Sequence, residues 1–403
     1  MFQPHVVKKG TVFGATLLVS GTCIGGGMLA LPVITAPAGF FPSLVLMGAC
    51  WVFMTLTGLL LIEANLWMEE GAHITTMASR LLGRFGKFAA VMLYLFMGYA
   101  SLIAYNSGGG EIVAVAALKL IGFPLSRIES CLLFTLIFGA MIYLGTRVIG
   151  RINAILVVGM IAAYIALVTV GVDEIRLDYL QHMNWNHSFT AMPIIFTTFS
   201  YQLIVPSLTP YLHRDPGMLR KSIILGTSIP FVIYLIWQCL TLGQIPVEGE
   251  YGLAQTLERG SSVIESLRNL TDSSLLGVFA DYFAFFALVT SYLGIALGLF
   301  DFLSDALKIK KQGSNYWILG SLIVIPALLF TLLYPNAFIF FLELSGGFGD
   351  ALLSGLIPVM MVWIGRYSKR IEGPYQVLGG KGVLVSLFAM AIFVLLVQIY
   401  NLL

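Results

Sequence analysis

The stretch "SGTCIGGGMLALPVITAPAGF" (residues 20–40) decides the fold. Its apolar residues predict a membrane-spanning helix, yet Gly25, Gly26 and Gly27 lie at its centre. Each glycine inside a helix costs about 0.8–1 kcal/mol relative to alanine. Unwound backbone at membrane depth is tolerated only where it lines a cavity or is buried in protein. The stretch therefore predicts a spanning helix that opens in its middle, next to a binding cavity.

The composition is that of an integral membrane protein. Of the 403 residues, 58% are hydrophobic and only 10% are charged, whereas a soluble domain carries about 25% charged residues. No Asp, Glu, Lys or Arg occurs between Lys9 and Glu63, and a spanning helix needs only about 20 apolar residues. The sequence therefore predicts a multi-pass protein whose surroundings are the lipid bilayer.

Several other classes of protein are excluded. The net charge is +2 and no basic run with interleaved aromatic residues occurs, so no nucleic-acid partner is predicted. No constellation of catalytic groups is present, which indicates that the chain is not an enzyme. No cofactor motif occurs, and no metal is expected beyond a possible Na⁺. Four cysteines lie singly within apolar runs, without metal-ligand spacing: Cys23, Cys50, Cys131 and Cys239.

The chain is predicted to be all-α, with eleven transmembrane helices in a single domain over residues 1–403. Turn residues such as Pro37, Gly39 and Pro42 separate the apolar runs. The predicted spans are 11–36, 42–68, 88–115, 128–146, 149–171, 191–212, 219–245, 275–304, 315–334, 337–366 and 379–402.

The distribution of basic residues predicts the orientation. Lys8 and Lys9 precede the first span, and most of the 22 Lys and Arg residues fall on the same side of the membrane as they do. Cytoplasmic loops carry the excess of Lys and Arg, so the N-terminus is predicted to be cytoplasmic and the C-terminus outside. The opposite side holds only Lys119, Arg127, Arg176, Arg259 and Arg268.

A second interrupted helix occurs five spans after the first. The sixth span contains "TTFSYQLIVPSLTP" (residues 197–210), in which Pro206 and Pro210 lack backbone donors. Paired interruptions at corresponding positions of two halves indicate the binding site of a transporter. We therefore expect two inverted five-helix repeats, about 11–171 and 191–366, and an extra helix at about 379–402. The alternative is a small-residue packing seam, since Gly21 and Gly25 have GxxxG spacing.

Polar groups within the other spans are candidates for coupling an ion. Ionisable residues at membrane depth are functional hypotheses by default, although each can instead cap or pair helices. Thr290 and Ser291 offer adjacent hydroxyls to a small cation, or bond back to their own helix. Tyr105 and Asn106 offer an aromatic face and hydrogen bonds in the third span. The carboxylates predicted as candidates are Glu63, Glu111 and Glu343, while Asp281, Asp301 and Asp350 also lie in or beside spans.

These features together resemble the hydroxy/aromatic amino acid permeases of bacteria, and specifically the tyrosine-permease branch. That family belongs to the amino acid–polyamine–organocation superfamily. The resemblance runs from about residue 10 to residue 365. It is carried by "GTCIGGGMLALP" (21–32), "IEANL" (62–66), "AYNSGGG" (104–110), "VPSLTPYL" (205–212), "TSYLGIALGLFDFL" (290–303) and "AFIFFLELSGGFG" (337–349).

The resemblance implies a leucine-transporter-type 5+5 inverted repeat with one added C-terminal helix, in the bacterial inner membrane. It implies a symporter that imports an aromatic amino acid, tyrosine above all, or tryptophan or phenylalanine, with a coupling cation. The alternatives are a serine or threonine symporter and, in a different class, a channel. The substrate-binding residues it implies, together with those of the third span, are Gly21, Thr22, Cys23, Gly25, Gly26, Gly27, Tyr105, Asn106, Phe199, Ser200, Tyr201 and Gln202.

The identity of the cation stays open between H⁺ and Na⁺. The family is described as proton-coupled, and some proton-coupled relatives place a lysine in the fifth span. None occurs here between Ile152 and Val170. Sodium symporters of the same fold bind Na⁺ between first-span carbonyls and eighth-span hydroxyls. The positions here that match this spacing are Gly21, Ile24, Ala287, Thr290 and Ser291.

Overall fold

The structure is a computed structural model that describes residues 10–144, 146–270, 274–309, 313–334 and 336–403. Every regular element in these ranges is a helix. Lys8 and Lys9, on which the predicted orientation partly rests, lie outside the described residues.

In the ranges given above, the first half of the chain contains six α-helices, which overlap the first five predicted spans. Short 3₁₀ turns lie at Ile142–Leu144, Val172–Glu174, Tyr179–Gln181, Trp185–His187 and Phe189–Ala191. The α-helices are α1 (Val12–Cys23), α2 (Gly27–Thr35), α3 (Phe40–Leu66), α4 (Ile74–Ile121), α5 (Arg127–Met141) and α6 (Thr146–Gly171).

The second half contains two π-helical segments in addition to its α-helices. These are π1 (Ser345–Leu356) and π2 (Ile364–Ser368), and a 3₁₀ turn lies at Gln202–Ile204. The α-helices are α7 (Met192–Thr198), α8 (Val205–Tyr211), α9 (Pro216–Gln244), α10 (Leu253–Arg259), α11 (Val263–Leu270), α12 (Ser274–Leu307), α13 (Asn315–Leu333), α14 (Ala337–Leu344), α15 (Ile357–Trp363) and α16 (Gly380–Leu402).

Within the described residues, nine helical segments are long and apolar enough to cross a membrane, and the bent pair α1–α2 makes up to ten. The predicted fourth span corresponds to α5, which has only 15 residues. Apolar side chains stay exposed along the helices, such as Val45 and Val52 on α3 and Ile155 and Val158 on α6. Exposed apolar faces of this kind mark contact with another apolar phase, which for these helices is lipid.

One element is much longer than its predicted span. The third span was expected at 88–115, whereas α4 starts at Ile74 and consists of two helices that meet at a kink, the second of which contains the predicted span. The basic residues before the span form helical turns instead of a loop, and the chain bends at Gly83 (φ 80°, ψ −162°). Glycine is the residue that adopts a positive φ without strain.

The arrangement around the two interrupted helices defines the centre of the molecule. α1 packs along α9, while α2 packs against α7, α9, α10 and α11. Every residue of α2 is buried, because α10 and α11 cover this end of the first span. α12 packs between α4 and α6 and brings Thr290 and Ser291 towards the first break.

Candidate functional site

The first break lies where the glycine stretch predicts it. α1 ends at Cys23, α2 begins at Gly27, and the two axes differ by 55°. The backbone N–H of Gly26 leaves the helical pattern and donates to Ser291 Oγ at 3.3 Å. The Cys23 carbonyl at the end of α1 accepts from Tyr234 Oη at 2.7 Å.

The second break lies between Thr198 and Val205, before the prolines. Ser200 and Tyr201 have no regular structure, and Pro206 occupies the first turn of α8. Proline is tolerated in a first helical turn, where no intrahelical donor is needed. The Thr198 carbonyl at the end of α7 accepts from Tyr234 Oη at 2.8 Å.

Tyr234 of α9 joins the two breaks, and sequence reasoning did not identify it. Its hydroxyl contacts the last carbonyls of α1 and α7, both buried. A hydroxyl has one hydrogen and donates to one acceptor at a time, so the two carbonyls together have more acceptor capacity than Tyr234 fills. Both also lie at helix C-termini, where the macrodipole is negative. This junction is suited to a cation, including an ammonium group.

The third-span residues differ in what they contact. The buried Tyr105 ring lies against the first break, since a Cβ on Gly26 would be 2.5 Å from Tyr105 Cε1. Asn106 is turned towards α5, where its Oδ1 accepts from Thr135 at 3.0 Å. The structure therefore brings Tyr105, but not the Asn106 oxygen, to the break.

The residues of the second break divide into two groups. The Phe199 ring is fully buried and packs edge-on against Tyr234, with 5.2 Å between centroids. Tyr201 and Gln202 instead contact α3. The hydroxyl of Tyr201 (3.0 Å) and the side-chain amide of Gln202 (3.1 Å) both donate to the Met54 carbonyl, and so hold the unwound segment against that helix. Gly58 makes room for Tyr201, since a Cβ there would be 1.9 Å from its hydroxyl.

The first residues of the predicted site lie at the edge of the packed interior. Gly21 and Thr22 are exposed, and the Thr22 hydroxyl donates to the Leu18 carbonyl of its own helix at 2.8 Å. Cys23, Gly25 and Gly27 are buried. A Cβ on Gly27 would be 3.2 Å from Thr198 Cγ2, so the two breaks lie side by side.

The predicted sodium positions are only partly brought together. Ser291 reaches the first break through Gly26. Thr290 donates to the carbonyls of Phe286 (2.8 Å) and Ala287 (3.1 Å) in its own helix. Ile24 is half-buried at the break. Of the two predicted hydroxyls, Ser291 contacts the first break, whereas Thr290 bonds to its own helix.

The three predicted carboxylates lie apart from the breaks. Glu63 forms a bidentate ion pair with Arg366 (2.6 and 2.5 Å), and the pair is almost fully buried. Glu111 interacts with Arg268 near the covering helix α11. Glu343 contacts Asn401 of α16 at 3.4 Å.

A different carboxylate reaches the second break. Asp350 in π1 is fully buried, and its Oδ1 accepts from Ser200 Oγ at 2.6 Å and from Ser354 Oγ at 2.8 Å. The sequence signal was its position after "LSGGFG" in an apolar span. Asp350 lies in a π-helical segment, which the sequence pattern did not predict.

Comparison with known proteins gives the family of this chain. The sequence profile of the tryptophan/tyrosine permease family matches residues 8–398. The chain belongs to this family. This permease is therefore a transport protein of the membrane and not an enzyme.

Individual relatives match along nearly the whole permease. Tyrosine-specific transport system 1 of Haemophilus influenzae is 33% identical over 384 residues, which cover 94% of each chain. A tryptophan-specific transport protein of Pseudomonas aeruginosa is 30% identical over 393 residues (95% of this chain, 94% of the relative). The low affinity tryptophan permease of Escherichia coli is 27% identical over 365 residues (88% and 86%).

Replacing Tyr234 by phenylalanine in the permease is expected to lower both stability and substrate affinity. A buried acceptor left unsatisfied costs about 1–3 kcal/mol, and here two carbonyls lose their common donor. Tyr99→Phe is the matched control, because its hydroxyl donates to the Leu322 carbonyl of α13 at 2.7 Å, away from the breaks. The KM of uptake should rise in Tyr234→Phe alone; the same KM in both variants would contradict this role.

Proposed function

We propose that the permease is a secondary active symporter that imports aromatic amino acids, with tyrosine as the first candidate and tryptophan and phenylalanine as the others. One observation carries the proposal: two interrupted helices meet with their carbonyl ends at a single hydroxyl, that of Tyr234. The termini of such half-helices carry partial charges of opposite sign, which suit the ammonium and the carboxylate of an amino acid. The names of the relatives, which are tyrosine- and tryptophan-specific transporters, support the choice of substrate.

The proposed binding mode follows from the polarity of the half-helices. The substrate ammonium binds at the Cys23 and Thr198 carbonyls, and its carboxylate binds free N–H groups at the start of α2. Phe199 and Tyr105 provide aromatic surface for the ring, together with buried Trp237, whose Nε1 donates to the Met28 carbonyl in the first turn of α2. Such surfaces favour offset or edge-on aromatic contacts. Gly21, Thr22, Ser200 and Gln202 complete the proposed site, as the family resemblance implies.

The proposed architecture is eleven spans with a 5+5 inverted repeat. The breaks in the first and sixth spans support it, since they lie at equivalent places in residues 11–171 and 191–366. α5 then serves as a short fourth span and α16 as the added helix. In the bacterial inner membrane, with a cytoplasmic N-terminus, α10 and α11 cover the outer end of the site. Transport then proceeds by alternating access.

Two alternative functions can be distinguished from aromatic amino acid symport. A serine or threonine symporter would need a pocket for a small polar side chain, whereas buried rings such as Phe199 and Trp237 lie near these breaks. A channel would need no broken helices at two equivalent positions. Saturable uptake and exchange of substrate across the membrane exclude the channel.

The experiment is uptake of labelled L-tyrosine into proteoliposomes with an inward H⁺ gradient, an inward Na⁺ gradient, or neither. We expect accumulation above the external concentration with the H⁺ gradient. Accumulation with Na⁺ alone would place the cation at Ser291 and Thr290. Absence of tyrosine uptake in a preparation that transports another amino acid would contradict the proposed substrate.

A further inference from the structure

The segment that carries Asp350 is unusual. π1 runs for 12 residues, Ser345–Leu356, whereas π-helix normally appears as a single turn and is frequently found at functional sites. It packs against α7, α4 and α16. This wide helix places Asp350 beside the unwound second break, where Ser200 donates to it.

One oxygen of Asp350 has no partner. Oδ1 accepts both serine hydroxyls, whereas Oδ2 is buried without a hydrogen bond. In the part of the chain that the structure describes, Asp350 forms no ion pair with Lys, Arg or His. An ionised carboxylate buried in this way is strongly disfavoured. A cation bound at Oδ2 would remove the free-energy cost of burying this negative charge. A proton is the cation that needs the least space there.

The side chains that are seen to surround Asp350 in the described ranges are uncharged. Two of them are titratable and interact with Asp350: Cys23, at the end of α1, and Tyr105 of α4. The helices packed on the glycines of π1 present uncharged side chains: Thr197 of α7, Met97 of α4, Gln398 of α16 and Phe53 of α3. Asp350 thus interacts with residues of both breaks, whereas Glu63 is neutralised by Arg366.

We propose that Asp350 carries the coupling proton of the permease, an inference that rests on the proposed symport. With the site open to the outside, Asp350 Oδ2 takes a proton from external water, and the neutral acid remains hydrogen-bonded at the second break. After the substrate leaves on the inside, the proton passes to internal water. The ionised carboxylate then holds Ser200 more strongly, because hydrogen bonds to charged acceptors are roughly twice as strong as neutral ones.

The test compares Asp350→Asn with the wild type in proteoliposomes, in two assays. Proton-driven tyrosine accumulation should fall by about 5- to 150-fold, the usual strength of coupling between two ligands. Counterflow of tyrosine, which needs no net proton movement, should persist. Asp173→Asn, at an exposed acid in a 3₁₀ turn, is the control and should keep both activities.

Three results would overturn the assignment. Proton-driven accumulation by Asp350→Asn at the wild-type level would show that the proton is carried elsewhere. Loss of counterflow together with accumulation, in protein that remains folded, would make Asp350 part of the substrate site instead. Accumulation driven by Na⁺ alone in the wild type would also contradict it, while leaving symport intact.

A second variant keeps the test decisive if Asp350→Asn does not fold. Asp350→Glu retains a carboxylate, so it should keep proton-driven accumulation with an altered dependence on external pH. An unchanged pH profile would count against the proposal. If the wild type transports no aromatic amino acid in either assay, the proposed function itself is contradicted. This outcome differs from failure of the Asp350 proposal because the control variant Asp173→Asn then shows no transport either.

Discussion

Uptake is expected to be lost when Gly26 is replaced by leucine, although the protein still inserts into the membrane. A Cβ at this position would lie 2.5 Å from Tyr105 Cε1 and 3.0 Å from Leu288 Cδ2. Overpacking of this kind costs about 1–3 kcal/mol, which is a roughly 5- to 150-fold change in an equilibrium constant. The side chain would also fill the space in which the substrate approaches the backbone. The measurement is initial uptake rate, normalised to the amount of protein in the membrane.

The control is the same substitution on another span. Gly48 of α3 is half-exposed, and nothing lies within 4 Å of a Cβ placed on it. Gly48→Leu should therefore transport like the wild type. Normal uptake by Gly26→Leu would mean that the first break does not bind substrate.

The second large effect is expected at the ion pair between Glu63 and Arg366. Its side chains are only 1% and 6% exposed, and Glu63 Oε2 also accepts from the Val377 backbone at 2.8 Å. The pair thus joins α3 to π2, which contains Arg366, and the Val377 contact extends this link to the segment that follows π2. Breaking a buried pair by removing one partner costs about 3–5 kcal/mol. We expect Glu63→Gln to lower the melting temperature in detergent sharply and to reduce the amount of protein in the membrane.

An exposed ion pair provides the comparison. Glu69 is 83% exposed in its pair with Arg80, and such surface pairs contribute below about 1 kcal/mol. Glu69→Gln should therefore melt close to the wild type. The double variant Glu63→Gln/Arg366→Gln should recover part of the loss, because it leaves no unpaired buried charge. Equal melting of the Glu63 and Glu69 variants would show that the buried pair is not a structural link.

Local sequence features predicted most of the spans and the presence of two interrupted helices. Three successive glycines weaken α1–α2 at Gly25–Gly27, where the first break occurs. The second break precedes the prolines that predicted it, because Pro206 occupies the first turn of α8 and Pro210 lies within that helix. Apolar length predicted most of the spans. The exception is α4, in which basic residues expected in a loop form a short helix that meets the third span at the kink of Gly83. Charge alone does not prevent a helix.

Contacts between distant parts of the chain were not predictable in this way. Tyr234 meets Cys23 across 211 positions, and Arg366 meets Glu63 across 303. No periodicity encodes such pairs, because they depend on which helices become neighbours. The same holds for Asp350 of π1, which meets Ser200 across 150 positions. From the sequence, Glu63, Glu111 and Glu343 were the predicted candidates, and Asp350 was noted only as a further carboxylate in a span.

The most direct test of the account is substrate exchange with purified protein. Proteoliposomes are loaded with unlabelled tyrosine, and entry of labelled tyrosine is measured with a competing amino acid outside. We predict rapid counterflow that tryptophan and phenylalanine inhibit, that serine and threonine leave unchanged, and that Gly26→Leu abolishes. Counterflow inhibited by serine or threonine but not by the aromatic amino acids would contradict the proposed site and its substrate.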